Sequence, residues 1–351
     1  MNSAYIMNKI NPVYQISWSD YQKDPQKLFT VLEKVGANLT TPVAIKTHFG
    51  EPGNDNALRG NIIKPAINWL IDQKITGFLT DTNTLYTGQR SDTKNHLKTA
   101  QNHGFADLGL PVVIAQEDNF ESKLAKLANQ YQSLPIHLGK ELREADSIFC
   151  LSHVKGHPMF GFGGALKNLG MGGATPKGKK ILHSSTIGKI NEDKCVLCGT
   201  CIQNCPTGAI SQKNNQIIID YQKCIGCGEC VAVCPQGAVE MKGEDLATCQ
   251  EKTAVYAYAL VKDKPSLYVN YLININAVCD CFSSTRPKLM ADLGILVSSD
   301  PVAIDQASLD WINQETGKDL FLEVNRVDYR PILDMGEAIG LGLKKYQLIE
   351  A

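Results

Sequence analysis

An excess of charge of either sign is missing from this chain. Its 35 Lys and Arg against 36 Asp and Glu leave a net charge of -1. Nothing in that balance suggests the basic footprint of a nucleic-acid-binding surface, and no nucleic-acid partner is expected. No run approaches about 18 uninterrupted apolar residues, so no membrane span is expected. The opening stretch, MNSAYIMNKINPVYQISWSD, has no basic residues followed by an apolar run, so it does not read as a secretory leader. No GxGxxG follows the first candidate strand, and GxxxxGK[ST] is absent, which argues against a Rossmann dinucleotide site and a Walker A loop. Cysteine is scarce over most of the length. Of 12 cysteines, only Cys150, Cys249, Cys279 and Cys281 lie outside one short segment. A disulfide scaffold is therefore a poor reading.

The other cysteines are concentrated in two runs, Cys195 to Pro206 and Cys224 to Pro235. Each reads C-x2-C-x2-C-x3-C-P, the spacing of a bacterial two-cluster ferredoxin. Three cysteines on a tight loop reach three irons of one cubane, and the fourth leaves on a short helix to ligate the other. The spacing thus assigns Cys195, Cys198, Cys201 and Cys234 to one 4Fe-4S cluster and Cys224, Cys227, Cys230 and Cys205 to a second. Gly199, Gly226 and Gly228 would let backbone N–H groups approach sulfur. A zinc module uses C-x2-C pairs but has no need of a third cysteine and x3-C-P, twice. Thiolates that must stay reduced to hold iron lead us to expect a cytoplasmic protein.

The rest of the chain alternates strand and helix patterns: strands at 13–18, 42–47, 78–81, 112–114 and 147–152, and helices near 25–35, 64–74 and 120–129. After residue 245 come a helix at 249–262, strands at 267–275 and 295–297, a helix opened by Asp300 and Pro301, and a last helix at 337–346. This predicts an α/β fold, a mostly parallel sheet covered by helices, with an inserted α+β two-cluster ferredoxin-like lobe. The expected division is 1–190 and 245–351 as two parts of one α/β domain and 191–244 as the insertion. Inside the insertion, a hairpin flanks Lys213 to Gln216, and Ala238 to Met241 should pair back onto it. Lys177, Lys179 and Lys180 read as part of a solvated connector leading into it.

Polar residues gather where the strands end, and ligands of open α/β sheets bind at strand carboxyl ends. His48 and Glu51 follow one strand. His153, Lys155 and His157 follow another and lead into a glycine-rich stretch holding Gly163, Gly164, Lys167 and Asn168. Cys279, Asp280 and Cys281 follow a third. His48, Glu51, His153, His157 and Asp280 are candidate acid/base groups. Lys155, Gly163, Gly164, Lys167 and Asn168 are candidates for holding an anionic small molecule. Cys279 and Cys281, two apart in an extended segment, face the same way and could grip a soft metal, a cluster edge, or each other.

Three stretches, Lys46 to Glu51, Lys155 to His157 with Gly163 to Gly172, and Cys279 to Cys281 with Asp300 to Asp305, together resemble the DUF362 family of uncharacterised iron–sulfur centre proteins. The resemblance runs from about residue 13 to 345 and implies a prokaryotic cytoplasmic protein, but the family name supplies no reaction. Three functions follow. An iron–sulfur oxidoreductase with a redox partner protein requires a polar cavity beside a cluster. An electron carrier or assembly component requires an exposed docking patch instead. A redox-independent enzyme with structural clusters requires a pocket remote from both.

Overall fold

The computed structural model describes residues 11–351, apart from 37, 87, 123–130, 132, 185–187, 227, 241–242 and 284. The expected helix at 120–129 lies mostly outside the described residues, as does Cys227. In chain order the strands are β1 (Asn11–Ser17), β2 (Val43–Lys46), β3 (Gly77–Thr82), β4 (Val112–Ala115), β5 (Ser147–His153), β6 (Lys155–His157) and β7 (Gly161–Gly163). They continue with β8 (Lys189–Ile190), β9 (Ile210–Lys213), β10 (Gln216–Ile219), β11 (Val239–Glu240), β12 (Ser266–Leu272), β13 (Gly294–Ser298) and β14 (Tyr346–Glu350).

One sheet takes eight of them in the order β14-β1-β13-β12-β5-β2-β3-β4. From β12 to β4 the neighbours are parallel, while β13 runs against both of its neighbours. β2 and β5 are buried along their whole length, as expected of parallel strands covered on both faces. Alternation along each strand splits the core in two. Ile45, Phe149, Leu151 and Val269 pack with Leu28, Leu32, Ile67 and Leu70 on one side. Ala44, Ile148, Tyr268 and Leu296 pack with Leu166, Leu169, Val255 and Ile304 on the other. The result is a mixed α/β architecture with a central sheet and surrounding helices. Among the described residues no helix is long and apolar enough to cross a membrane.

The parallel ladder of β5 and β12, from Ile148 opposite Ser266 to His153 opposite Tyr271, joins chain before residue 190 to chain after 245. Between them, β9 and β10 form a hairpin. Its turn, Asn214-Asn215, has both residues at positive φ (47° and 62°), the conformation that matches strand twist in a two-residue turn. Two single-turn helices, Thr200–Gln203 and Glu229–Ala232, accompany it. Ile210, Ile217, Ile219, Val239 and Cys201 make a small core of their own.

Two expectations need correction. Val239 and Glu240 do not pair with the hairpin. They pair with β8, because the entering chain at Lys189–Ile190 takes that backbone edge. The last helix is not at 337–346 but spans Arg330–Ala338. Pro331 suits its first turn, Gly340 leaves it at a φ of 76°, and Tyr346–Glu350 adds an edge strand beside β1.

Candidate functional site

The order β12-β5-β2-β3 sets four parallel strand ends side by side. Their loops deliver Cys279 to Cys281, His157, His48 and Glu51, and Arg90 to one edge of the sheet. There they enclose a cavity of about 530 Å³. His48, His157, Lys167, Cys279 and Cys281 all line it. Glu51, His153, Lys155, Gly163, Gly164 and Asn168 also line it, but most of their polar capacity is spent inside the protein.

Glu51 accepts from the backbone N–H of Gln89 (3.0 Å) and from Arg90 Nε (2.8 Å). His153 has an acceptor at each ring nitrogen: Asp280 at 2.9 Å from Nδ1, and the carbonyl of Ile273 at 2.8 Å from Nε2. Asp280 also pairs with Lys155 Nζ at 3.2 Å. Burial alone would raise the Asp280 carboxyl, but His153 and Lys155 hold it well below the usual carboxylate range. Asn168 accepts from Lys46 Nζ (2.7 Å) and donates to Ser152 Oγ (3.0 Å) and to the carbonyl of Leu151 (3.1 Å).

The glycine-rich stretch does not offer a helix N-terminus to a ligand. Asp305 accepts from the N–H groups of Ala165 (2.7 Å) and Leu166 (2.9 Å), which open the helix Ala165–Gly173. A Cβ on Gly164 would overlap the Asp305 carboxylate. The glycine admits an internal anion. Burial pushes the Asp305 carboxyl up to about 6.

A smaller set faces the cavity with capacity to spare. His157 Nδ1 accepts from the N–H groups of Met159 (3.1 Å) and Phe160 (3.2 Å), which leaves the ring proton on Nε2. Burial, then the Lys167 charge, holds this imidazole well below its ordinary value. Lys167 Nζ lies 3.9 Å from Cys279 Sγ and 5.4 Å from the centre of the Phe160 ring. Among the described residues no carboxylate pairs with it. The two thiols stand 2.8 Å apart, and Cys281 Sγ is 3.5 Å from His48 Nε2. With every ligand atom within 4.8 Å of the others, His48, Cys279 and Cys281 form one candidate metal-binding site.

Sequence reasoning missed several groups here. Asp81 on β3 sits between Lys46 (3.0 Å), Arg90 (3.5 Å) and His96 (3.6 Å). Lys179, expected on a solvated connector, is instead buried on the helix Pro176–His183 and lines the cavity. Its ammonium donates to Thr82 Oγ1 and, at 2.5 Å, to the carbonyl of Ala174. Burial brings it down to about 7. The i, i+3 spacing of Lys179 and the apolar Leu182 on one helix face is its one sequence signal of burial, and the surrounding lysines hide it.

The cysteines of the central segment sort into two small cavities. Cys195, Cys198, Cys201 and Cys234 line one. Cys205, Cys224 and Cys230 line the other, with Gly226, Gly228 and Glu229. Cys205, Pro206 and Glu229 also line the large cavity.

The family described as a domain of unknown function, DUF362, matches residues 43–310, and the chain belongs to it. No curated protein matches. A crystal structure of a Thermotoga maritima protein, solved as a structural genomics target, aligns with 91% of this chain at 9% identity and a TM-score of 0.40. The alignment takes in 59% of that protein, less than two thirds of its length.

Proposed function

We propose that this protein is an iron–sulfur oxidoreductase that acts on an anionic small molecule in the large cavity. Cys195, Cys198, Cys201 and Cys234 would hold one 4Fe-4S cluster, and Cys205, Cys224, Cys227 and Cys230 the second. The single observation that favours this reading is the position of Cys205, which lines both the second small cavity and the large one. A structural cluster would not need that adjacency, and a docking platform would not need the cavity.

The donor set fits the clusters. All eight proposed ligands are soft thiols, and backbone N–H groups of Ala209 and Ala238 point at Cys205 Sγ and Cys234 Sγ, both at 3.2 Å. Such bonds tune cluster sulfurs. When bound, the clusters would supply electrons one at a time. The remaining tasks belong to side chains of the cavity. Lys167 would attract the anionic group, and the Nε2–H of His157 would donate a hydrogen bond that orients it. Glu51, His153, Asp280, Lys155 and Asn168 would hold these groups in place.

The exposed Cys198 and the 61% exposed Val196 beside it suit entry of electrons from a redox partner protein. In this reading residues 191–244 act as a ferredoxin-like insertion in a cytoplasmic α/β protein. Anaerobic reconstitution followed by iron and acid-labile sulfide analysis tests it. About eight of each per chain are expected, and four after complete reconstitution would sink the two-cluster reading.

A further inference from the structure

The carboxyl end of β12 presents two thiols to the cavity, and their surroundings say what they can do. A neutral histidine that binds metal through Nε2 carries its proton on Nδ1 and donates it to a neighbour. His48 has the opposite arrangement. The N–H of Gly50 donates to His48 Nδ1 at 3.0 Å, so the ring proton is on Nε2 and points toward Cys281. His48 is a hydrogen-bond donor to sulfur rather than a third metal ligand. What remains is a pair of sulfurs in tight non-bonded contact at 2.8 Å, near enough for a small shift to close an S–S bond of about 2.05 Å. Lys167 stands beside one and His48 beside the other. Cys279 is buried and Cys281 is half-buried, both on the cavity wall.

We infer that Cys279 and Cys281 are a reversible dithiol/disulfide couple that carries out a two-electron reduction of a disulfide substrate in the cavity. The couple rests on the proposed function only for its supply of single electrons. Cys281, the more accessible sulfur, attacks the substrate disulfide. The substrate S–S bond breaks, one substrate thiol leaves with a proton, and a mixed disulfide forms. Cys279 then attacks the Cys281 sulfur and releases the second thiol. The protein now has the Cys279–Cys281 bond, and two electrons with two protons restore both thiols. A disulfide between residues two apart is strained, and strained disulfides are the more oxidising and more easily reduced ones. That property suits a couple recharged in every cycle.

The tryptic peptide Asp263–Lys288 contains Cys279 and Cys281 and no other cysteine. The full-length, iron-loaded protein is incubated anaerobically with hydroxyethyl disulfide, then alkylated and digested. The expected peptide is unalkylated and lighter by two hydrogens. In Cys279→Ser, with iron content unchanged, the hydroxyethylthio adduct should stay on Cys281. A doubly alkylated wild-type peptide overturns the couple, and so does a mixed disulfide that never closes. A metal ion beyond the cluster iron that leaves with Cys281→Ala also overturns it. Reduced viologen should then restore both thiols faster in the wild type than in Cys205→Ala. Equal rates would leave the couple standing and overturn the cluster route of the proposed function. Protein without iron still permits the alkylation assay.

Discussion

Asp280 and His153 meet 2.9 Å apart beneath the cavity, one from the loop after β12 and the other from the end of β5. The pair is wholly buried, with Lys155 closing it from the cavity side. It ties the Cys279 and Cys281 loop to the sheet. Asp280 is also the buried charge partner of Lys155 Nζ at 3.2 Å, and removing one member of a buried charge pair typically costs about 3–5 kcal/mol. Asp280→Asn should lose stability in that range in a urea titration at neutral pH. An unchanged midpoint would show that the pair is not what holds this loop.

Gly164 and Asp305 should behave as one unit. Gly164→Ala forces the Asp305 carboxylate away from the N–H groups of Ala165 and Leu166. Asp305→Ala leaves those buried donors unsatisfied, at about 1–3 kcal/mol. The double variant should be less destabilised than the sum of the two singles, with a coupling of about 0.5–3 kcal/mol. Strict additivity in a denaturation cycle would reject the contact.

The buried ammonium of Lys179 gives a pH dependence with a definite sign. Its folded-state value, about 7, lies below its ordinary 10.5. Between those limits the unfolded chain holds a proton that the folded chain has released, so this group makes stability rise with pH. The rise starts near 7 and ends near 10.5. Lys179→Met should flatten that part of the stability curve. A slope identical to the wild type would place the charge elsewhere.

Iron content can test the crossed pairing of the two cysteine runs. In the proposed arrangement Cys201 and Cys234 serve one cluster and Cys205 the other. The Cys201→Ala, Cys234→Ala double variant should therefore keep about four irons, and Cys201→Ala, Cys205→Ala should lose nearly all of about eight. The reverse order of losses would assign the fourth cysteine of each run to its own cluster.

The sequence by itself determined the alternation of strands and helices, the two cysteine runs, and the polar residues that follow each strand. These are local matters: periodicity, spacing and turn chemistry are written in neighbouring residues. It also placed Asp300 correctly as a helix cap, since its side chain accepts from Val302 and Ala303 within the same turn. Only the tertiary structure decided which strand-end residues keep a free hydrogen-bonding group. Asp280 meets His153 across 127 residues, Asp305 reaches Ala165 across 140, and His48 approaches Cys281 across 233. The order β13-β12-β5-β2 creates those meetings, and no local pattern encodes it. Lys179 shows the same limit from the other side. Its lysine-rich surroundings read as solvent, and the packing of its helix under the sheet edge puts it inside.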